Sequence, residues 1–173
     1  MPDLTPDTGD WHVWNVGILI GNLQTLEYGA RSAVATMTES HSGIDLRTVQ
    51  PGDMVPEDPL TSYDQLAYVL KRFNKWASPG HQLDVRRIVN LRDQLAHGRA
   101  VAFEPKFPLT LLKFGKPAKG EVPVLARVEM TEAWFIEQRT LVHNAIQTVA
   151  AEVSARPPST IRRVSRRKKG TTQ

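Results

Sequence analysis

Residues Trp11–Glu39 read WHVWNVGILIGNLQTLEYGARSAVATMTE, and their apolar spacing sets the architecture. Val16, Leu19, Leu23, Leu26, Ala30, Ala33 and Met37 recur at alternating three- and four-residue steps. That period places them on one stripe of a long helix, with the regularity of a bundle seam. Asp10 stands where an N-cap is needed. Upstream, the Pro/Asp/Thr-rich residues 1–10 carry no apolar period and are expected to be disordered. Downstream, Val49–Leu60 holds three prolines and a Gly-Asp pair and reads as a long loop.

Thr61 or Ser62 is expected to open a second helix, with Thr61 and Asp64 at capping-box spacing and Leu66, Leu70, Phe73 and Ala77 facing inward. Ser78-Pro79-Gly80 ends it. A third helix is predicted over 82–97, closed by Gly98 as a C′ residue. Pro105, Pro108, Pro117 and Pro123 then forbid helix between Ala100 and Met130. Leu109–Phe114 and Val122–Met130 read instead as two strands around a Lys116–Gly120 turn. Thr131 caps a fourth helix running to about Ala155. The predicted fold is mainly α: a four-helix bundle over residues 11–155, with a β-hairpin inserted at about 100–130, before the last helix.

Of the 22 basic residues, seven lie in residues 156–173, where there is no acid. The rest of the chain has 15 basic against 18 acidic residues, so the formal charge of +4 is a mildly acidic body with a basic tail. The tail is expected to be disordered. Its Arg162, Arg163, Arg166, Arg167, Lys168 and Lys169 either concentrate RNA non-specifically or serve as a solubilising end. They lack interleaved aromatics, so no base reading is expected of them.

Several classes find no support. The chain has no cysteine, which removes disulfides, thiolate zinc sites and thiol nucleophiles. Its uninterrupted aliphatic runs, such as Ile18-Leu19-Ile20, do not exceed three residues, too short to span a membrane. The acidic first ten residues lack the basic start of a secretory signal, so a cytoplasmic location is expected. His12, His41, His81 and His143 are scattered singly without metal-ligand spacing, and no metal or other cofactor is expected. Neither a phosphate-binding glycine loop nor a GxSxG elbow occurs. Trp11 and Trp14 suit a core end or an interface, or a base-stacking platform.

The third helix carries the chemistry: QLDVRRIVNLRDQLAHGR, residues 82–99. On a wheel, Arg92 falls about 20° from Val85 and about 40° from Ile88, inside the apolar arc. A guanidinium there requires a carboxylate such as Glu27, a subunit interface or an anionic ligand. Asp93 and His97 stand at i and i+4, so their side chains can meet. A nearby carboxylate and the negative end of the helix dipole both favour imidazolium at that place.

Arg92-Asp93-Gln94-Leu95-Ala96-His97 resembles the Arg-x4-His motif of the HEPN superfamily, and so does its setting late in a bundle helix closed by His-Gly. The resemblance covers the helical body; the hairpin and basic tail lie outside it. It implies a small dimeric helical bundle, in many members a metal-independent ribonuclease of toxin–antitoxin or other defence systems. In other members it is a non-catalytic interaction module. By the resemblance, Arg92 would hold the scissile phosphate, His97 would act as general acid or base, and Asp93 would orient the imidazole. RNA would be the substrate. A homodimer and an antitoxin or regulatory protein would be the partners.

Overall fold

The computed structural model describes residues 5–103 and 107–156. Four helices dominate: α1 (Gly9–Met37), α2 (Leu66–Trp76), α3 (Val85–His97) and α4 (Glu132–Ser154). A single 3-10 turn at Pro79–His81 joins α2 to α3. Between α3 and α4 lies a small antiparallel sheet of β1 (Arg99–Val101), β2 (Thr110–Phe114) and β3 (Val124–Glu129), in that spatial order. Among the described residues, no helix is long and apolar enough to cross a membrane.

The stripe on α1 is buried as its spacing requires. Leu19, Leu23, Leu26, Ala30, Ala33 and Met37 are all in the core, with Val16 at its edge. Leu70 and Phe73 of α2, Ile88 and Leu91 of α3, Leu111 of β2 and Phe135, Val142 and Val149 of α4 complete it. Each fully buried large side chain contributes about 1.5–3 kcal/mol relative to exposure.

Helix starts differ from the sequence expectations, each for a local reason. Thr8, not Asp10, caps α1: its Oγ1 accepts the Trp11 N–H at 3.3 Å. Asp10 sits inside the first turn, where a carboxylate suits the helix dipole. Residues 5–8 form a turn closed by the Thr8 N–H and the Thr5 carbonyl, so the expected disorder of residues 1–10 does not extend over 5–10. Residues 1–4 lie outside the described residues.

Thr61 and Ser62 do not open α2. Asp58 takes them first: its Oδ1 accepts from the Leu60 N–H at 2.7 Å and the Thr61 N–H at 3.1 Å. Arg31, almost buried, then staples the following segment to α1 by donating to the Pro59 and Ser62 carbonyls at 3.2 and 3.1 Å. The helix begins only at Leu66, and its N-cap Gln65 makes no side-chain capping bond.

Helix α3 likewise starts late, at Val85, because Leu83 is held by Asn74. The Leu83 N–H reaches Asn74 Oδ1 at 2.8 Å and the Asn74 amide returns to the Leu83 carbonyl at 2.9 Å. Asp84 caps the helix through the Arg87 N–H at 3.0 Å. At the other end, Gly98 is extended (φ −76°, ψ 165°), not left-handed. Glycine is needed there for space: a Cβ would meet the Gln94 carbonyl and stand 2.7 Å from Leu111 Cδ1. The chain therefore turns straight from α3 into β1, a third strand added to the two expected. Its Ala100 pairs with Leu111, which in turn pairs with Val128.

His12 is fully buried and ties the start of α1 to the sheet. Its Nδ1 lies 3.0 Å from the Thr8 carbonyl. Its Nε2 faces the Leu109 N–H at 3.3 Å and the Met130 carbonyl at 3.2 Å. Thr131 caps α4 as its sequence predicts, accepting the Trp134 N–H at 3.1 Å.

Candidate active-site groove

The last two turns of α3 face the first turn of α2. Gln65, Leu66, Ala67, Val89, Arg92, Asp93 and His97 line one groove there, of about 290 Å³. Arg92 and His97 are thus brought together. The chain achieves this because Gly98 lets α3 end flush against β2, leaving His97 exposed in the final turn, while Asp58 and Arg31 delay α2 until Leu66. The backbone N–H groups of Leu66 and Ala67 find no acceptor among the described residues, as expected for an uncapped first turn. That end of α2 carries the positive end of its dipole.

Arg92 is not a buried charge. Its side chain is 46% exposed, because only Ile88 and Leu91 of α3 pack fully into the core. The apolar arc expected to surround it is split, and Val85, Val89 and Leu95 are only partly covered. Nor does Glu27 pair with it: that carboxylate accepts from Arg31 at 2.8 Å. Glu27 and Arg92 instead share the lining of a second, adjoining groove of about 230 Å³, with Ile20 and Gln24 of α1 and Leu95 and Ala96 of α3.

Asp93 takes a different partner from the one its spacing suggests. Its Oδ1 accepts from Arg92 Nη1 at 3.2 Å, and no hydrogen bond joins it to His97 among the described residues. The imidazole of His97 makes no hydrogen bond to any described group. Among the described residues, no three His, Asp or Glu side chains come together. Arg162, Arg163, Arg166, Arg167, Lys168 and Lys169 lie outside the described residues.

A second cluster escaped the sequence reading. Glu152 of α4 is 1% exposed, and its carboxylate accepts from His81 Nδ1 at 2.7 Å, the Ser78 N–H at 3.1 Å and Arg156 Nε at 2.9 Å. Burial alone would raise this carboxyl, but the bonds from His81, Arg156 and Ser78 outweigh it and hold the carboxyl at about 2. Arg156 also donates to the Trp76 carbonyl. It therefore belongs to the folded body, not to the basic tail in which its sequence neighbours place it. The signal was available: Glu152 stands three residues after Val149 and seven after Ala145, on the buried stripe of α4. It clamps the end of α4 to the α2–α3 junction.

A third polar set lies between α1 and α4, where Asn22, Arg139, Thr140 and His143 line a groove of about 320 Å³. Arg139 and His143 are one helical turn apart, the spacing that puts both on one face. Comparison with models of protein families, with curated proteins and with solved structures finds no match for this chain.

Proposed function

We propose that the chain is an RNA endonuclease of the HEPN type, a four-helix bundle with its hairpin inserted ahead of α4. The reading rests on one observation: Arg92 and His97, five residues apart in sequence, line the same groove. A phosphate lying there would meet the Arg92 guanidinium, a planar donor suited to phosphate oxygens. The uncapped first turn of α2 would add its dipole and free N–H groups. His97, exposed in the same groove, would move the proton to or from the 2′-hydroxyl or the leaving oxygen. This division of labour uses side chains of the chain alone and no metal. The 2′-hydroxyl as nucleophile makes RNA the substrate and leaves DNA inert.

Ile20, Leu95 and Ala96 form an incompletely covered apolar border beside Arg92. A second copy packed there would place two Arg92–His97 pairs along one composite cleft, in a closed two-fold dimer. The same border supports a second reading, a non-catalytic dimerisation or interaction module. The Arg92–Asp93 pair favours it, since it partly neutralises the guanidinium in the free chain. A defence or toxin–antitoxin role, with an antitoxin or regulatory protein as partner and a cytoplasmic location, accompanies the nuclease reading.

The test is cleavage of single-stranded RNA in EDTA, with product ends identified. The nuclease reading expects 2′,3′-cyclic phosphate ends, and losses of at least about a hundredfold in Arg92→Ala and in His97→Ala. No cleavage by the parent, or equal cleavage by both variants, leaves the interaction module.

A further inference from the structure

The α1–α4 groove gathers side-chain donors suited to an oxyanion. Arg139 reaches it with its guanidinium aimed by Asn15, whose Oδ1 accepts from Arg139 Nη1 at 3.2 Å. Asn15 is itself 3% exposed and anchored by its amide to the Trp11 carbonyl at 2.9 Å, so Arg139 is oriented from the core. Its remaining N–H donors meet no carboxylate among the described residues, unlike those of Arg31, Arg47, Arg72, Arg87, Arg92 and Arg156. His143, one turn on, and the Asn22 amide across the groove add two further polar groups without described hydrogen-bond partners. Among the described residues, no acid lines the groove; the nearest on that face of α4 is Glu132, two turns before Arg139, at about 10 Å along the axis.

An aromatic platform flanks this set. Trp14 stands one turn before Ile18 of the groove, on the same side of α1, and is 59% exposed. Trp11 and Trp134 both pack edge-on against Phe135, whereas Trp14 has no aromatic partner among the described residues. A guanidinium in a groove beside an open indole is a combination that holds a single-stranded nucleotide, the phosphate on the cation and the base on the ring. The two grooves bordering α1 lie on opposite flanks of that helix. Between Ile18 on one flank and Ile20 on the other, the exposed ridge of the helix is formed in part by Gly17 and Gly21. A side chain at either would find nothing within 4 Å, so the ridge is a low saddle.

We infer that the groove of Asn22, Arg139 and His143, with Trp14 beside it, is a second nucleotide-binding site. It takes a backbone phosphate and a base of the RNA strand whose cleavage site lies in the Arg92–His97 groove. The strand crosses α1 over the Gly17–Gly21 saddle. As regards its occupant, the inference rests on the nuclease reading above. The site binds and positions; it takes no part in the chemistry.

Two probes test it on the full chain. Titration with inorganic phosphate, followed by NMR, should move the Asn22, Thr140 and His143 resonances saturably, and Arg139→Gln should abolish the response. Absence of a saturable shift overturns the site whatever the RNA results. The second probe is a twelve-nucleotide oligouridine. Arg139→Gln, His143→Ala and Trp14→Ala should each weaken its binding by about fivefold or more. Arg139→Gln should also lower the log–log salt slope by about 0.7, the share of one single-strand phosphate. Cleavage of the dinucleotide UpA, too short to span α1, should be unchanged in all three. His143 makes no hydrogen bond to a described group, so His143→Ala keeps the test valid if Arg139→Gln unsettles Asn15. Parental affinity and slope in these variants would overturn the RNA occupant, even with cleavage intact. A parent that cleaves neither substrate would sink the nuclease reading instead, and leave the site to the phosphate titration.

Discussion

Arg92 Nη1 lies 3.2 Å from Asp93 Oδ1, so the guanidinium at the mouth of the groove is held by its own sequence neighbour. Both side chains are substantially exposed, and an exposed pair of this kind is worth at most about 1 kcal/mol. A phosphate can therefore displace Asp93 from Arg92 at little cost. On the nuclease reading, Asp93 would then compete weakly with the ligand for Arg92, while in the free chain it makes no hydrogen bond to a described atom of His97.

Asp93→Asn separates these roles. If Asp93 competes with phosphate, the variant should bind RNA a few-fold more tightly, and its salt slope should steepen. Its cleavage should stay within about tenfold of the parent. If Asp93 aligns the imidazole when RNA is bound, cleavage should instead fall by about a hundredfold or more with binding little changed. Single-turnover rates and affinities of the one variant decide between them.

The exposure of Arg92 also fixes what its removal does to the fold. A guanidinium buried among Val85, Ile88 and Val89 would destabilise the free chain, and alanine would relieve it. At 46% exposure, no such strain exists. Arg92→Ala and His97→Ala should each change unfolding free energy by less than about 0.5 kcal/mol while abolishing cleavage. Denaturant titration measures the first and RNA cleavage the second. A stability change of several kcal/mol in Arg92→Ala would mean that Arg92 is buried in the working form, as it would be in a tight dimer.

The helices were legible because their apolar stripes are long and regular, as Leu19 to Met37 and Val142 to Val149 show. Helix starts were not, because capping competes with tertiary bonds. Thr61 looks like a cap in sequence but is spent on Asp58, and Gln82 and Leu83 are drawn out of α3 by Asn74. Strand β1 is three residues long and has no turn signal, since Gly98 serves the packing of Leu111 and not a reversal. Helical spacing alone does not bring Arg92 and His97 together, since five residues set them about 140° apart around the helix. Their shared groove depends on where α2 begins. Glu152 lies on the buried stripe of α4, but the partner that makes a carboxylate tolerable there, His81, is 71 residues away in sequence.

Acid should act on the fold mainly through Glu152 and Asp58. Asp58, like Glu152, is held at about 2: burial would raise it, but the Ser42, Leu60 and Thr61 N–H groups outweigh that. Carboxyls lowered in the folded chain stabilise it fully above their ordinary values, near 4, and lose that contribution as pH falls towards 2. Unfolding free energy should therefore drop by a few kcal/mol between about pH 5 and pH 2. Glu152→Gln should flatten part of that slope and leave the Asp58 part. Urea titrations at a series of pH values provide the measurement, and an unchanged slope in the variant would remove the ion cluster from the stability of the fold.

Arg156 separates body from tail at a single residue. It donates to Glu152 and to the Trp76 carbonyl, closing the end of α4 onto the end of α2. A chain ending at Pro158 keeps both bonds and loses all six of Arg162, Arg163, Arg166, Arg167, Lys168 and Lys169. It should melt like the parent, yet bind RNA more weakly and with a flatter salt dependence. A chain ending at Ala155 also loses Arg156, leaving buried Glu152 with only His81 and the Ser78 N–H. Removing one partner of a buried ion pair costs about 3–5 kcal/mol at full strength, and His81 offsets part of that here. The shorter chain should therefore be less stable by about 1–3 kcal/mol, and the loss should be reproduced by Arg156→Ala in the intact chain. Equal melting of the two truncations would show that Arg156 does not clamp the helix end. An unchanged RNA salt slope in the chain ending at Pro158 would make the basic run a solubilising end, leaving RNA binding to the helical body.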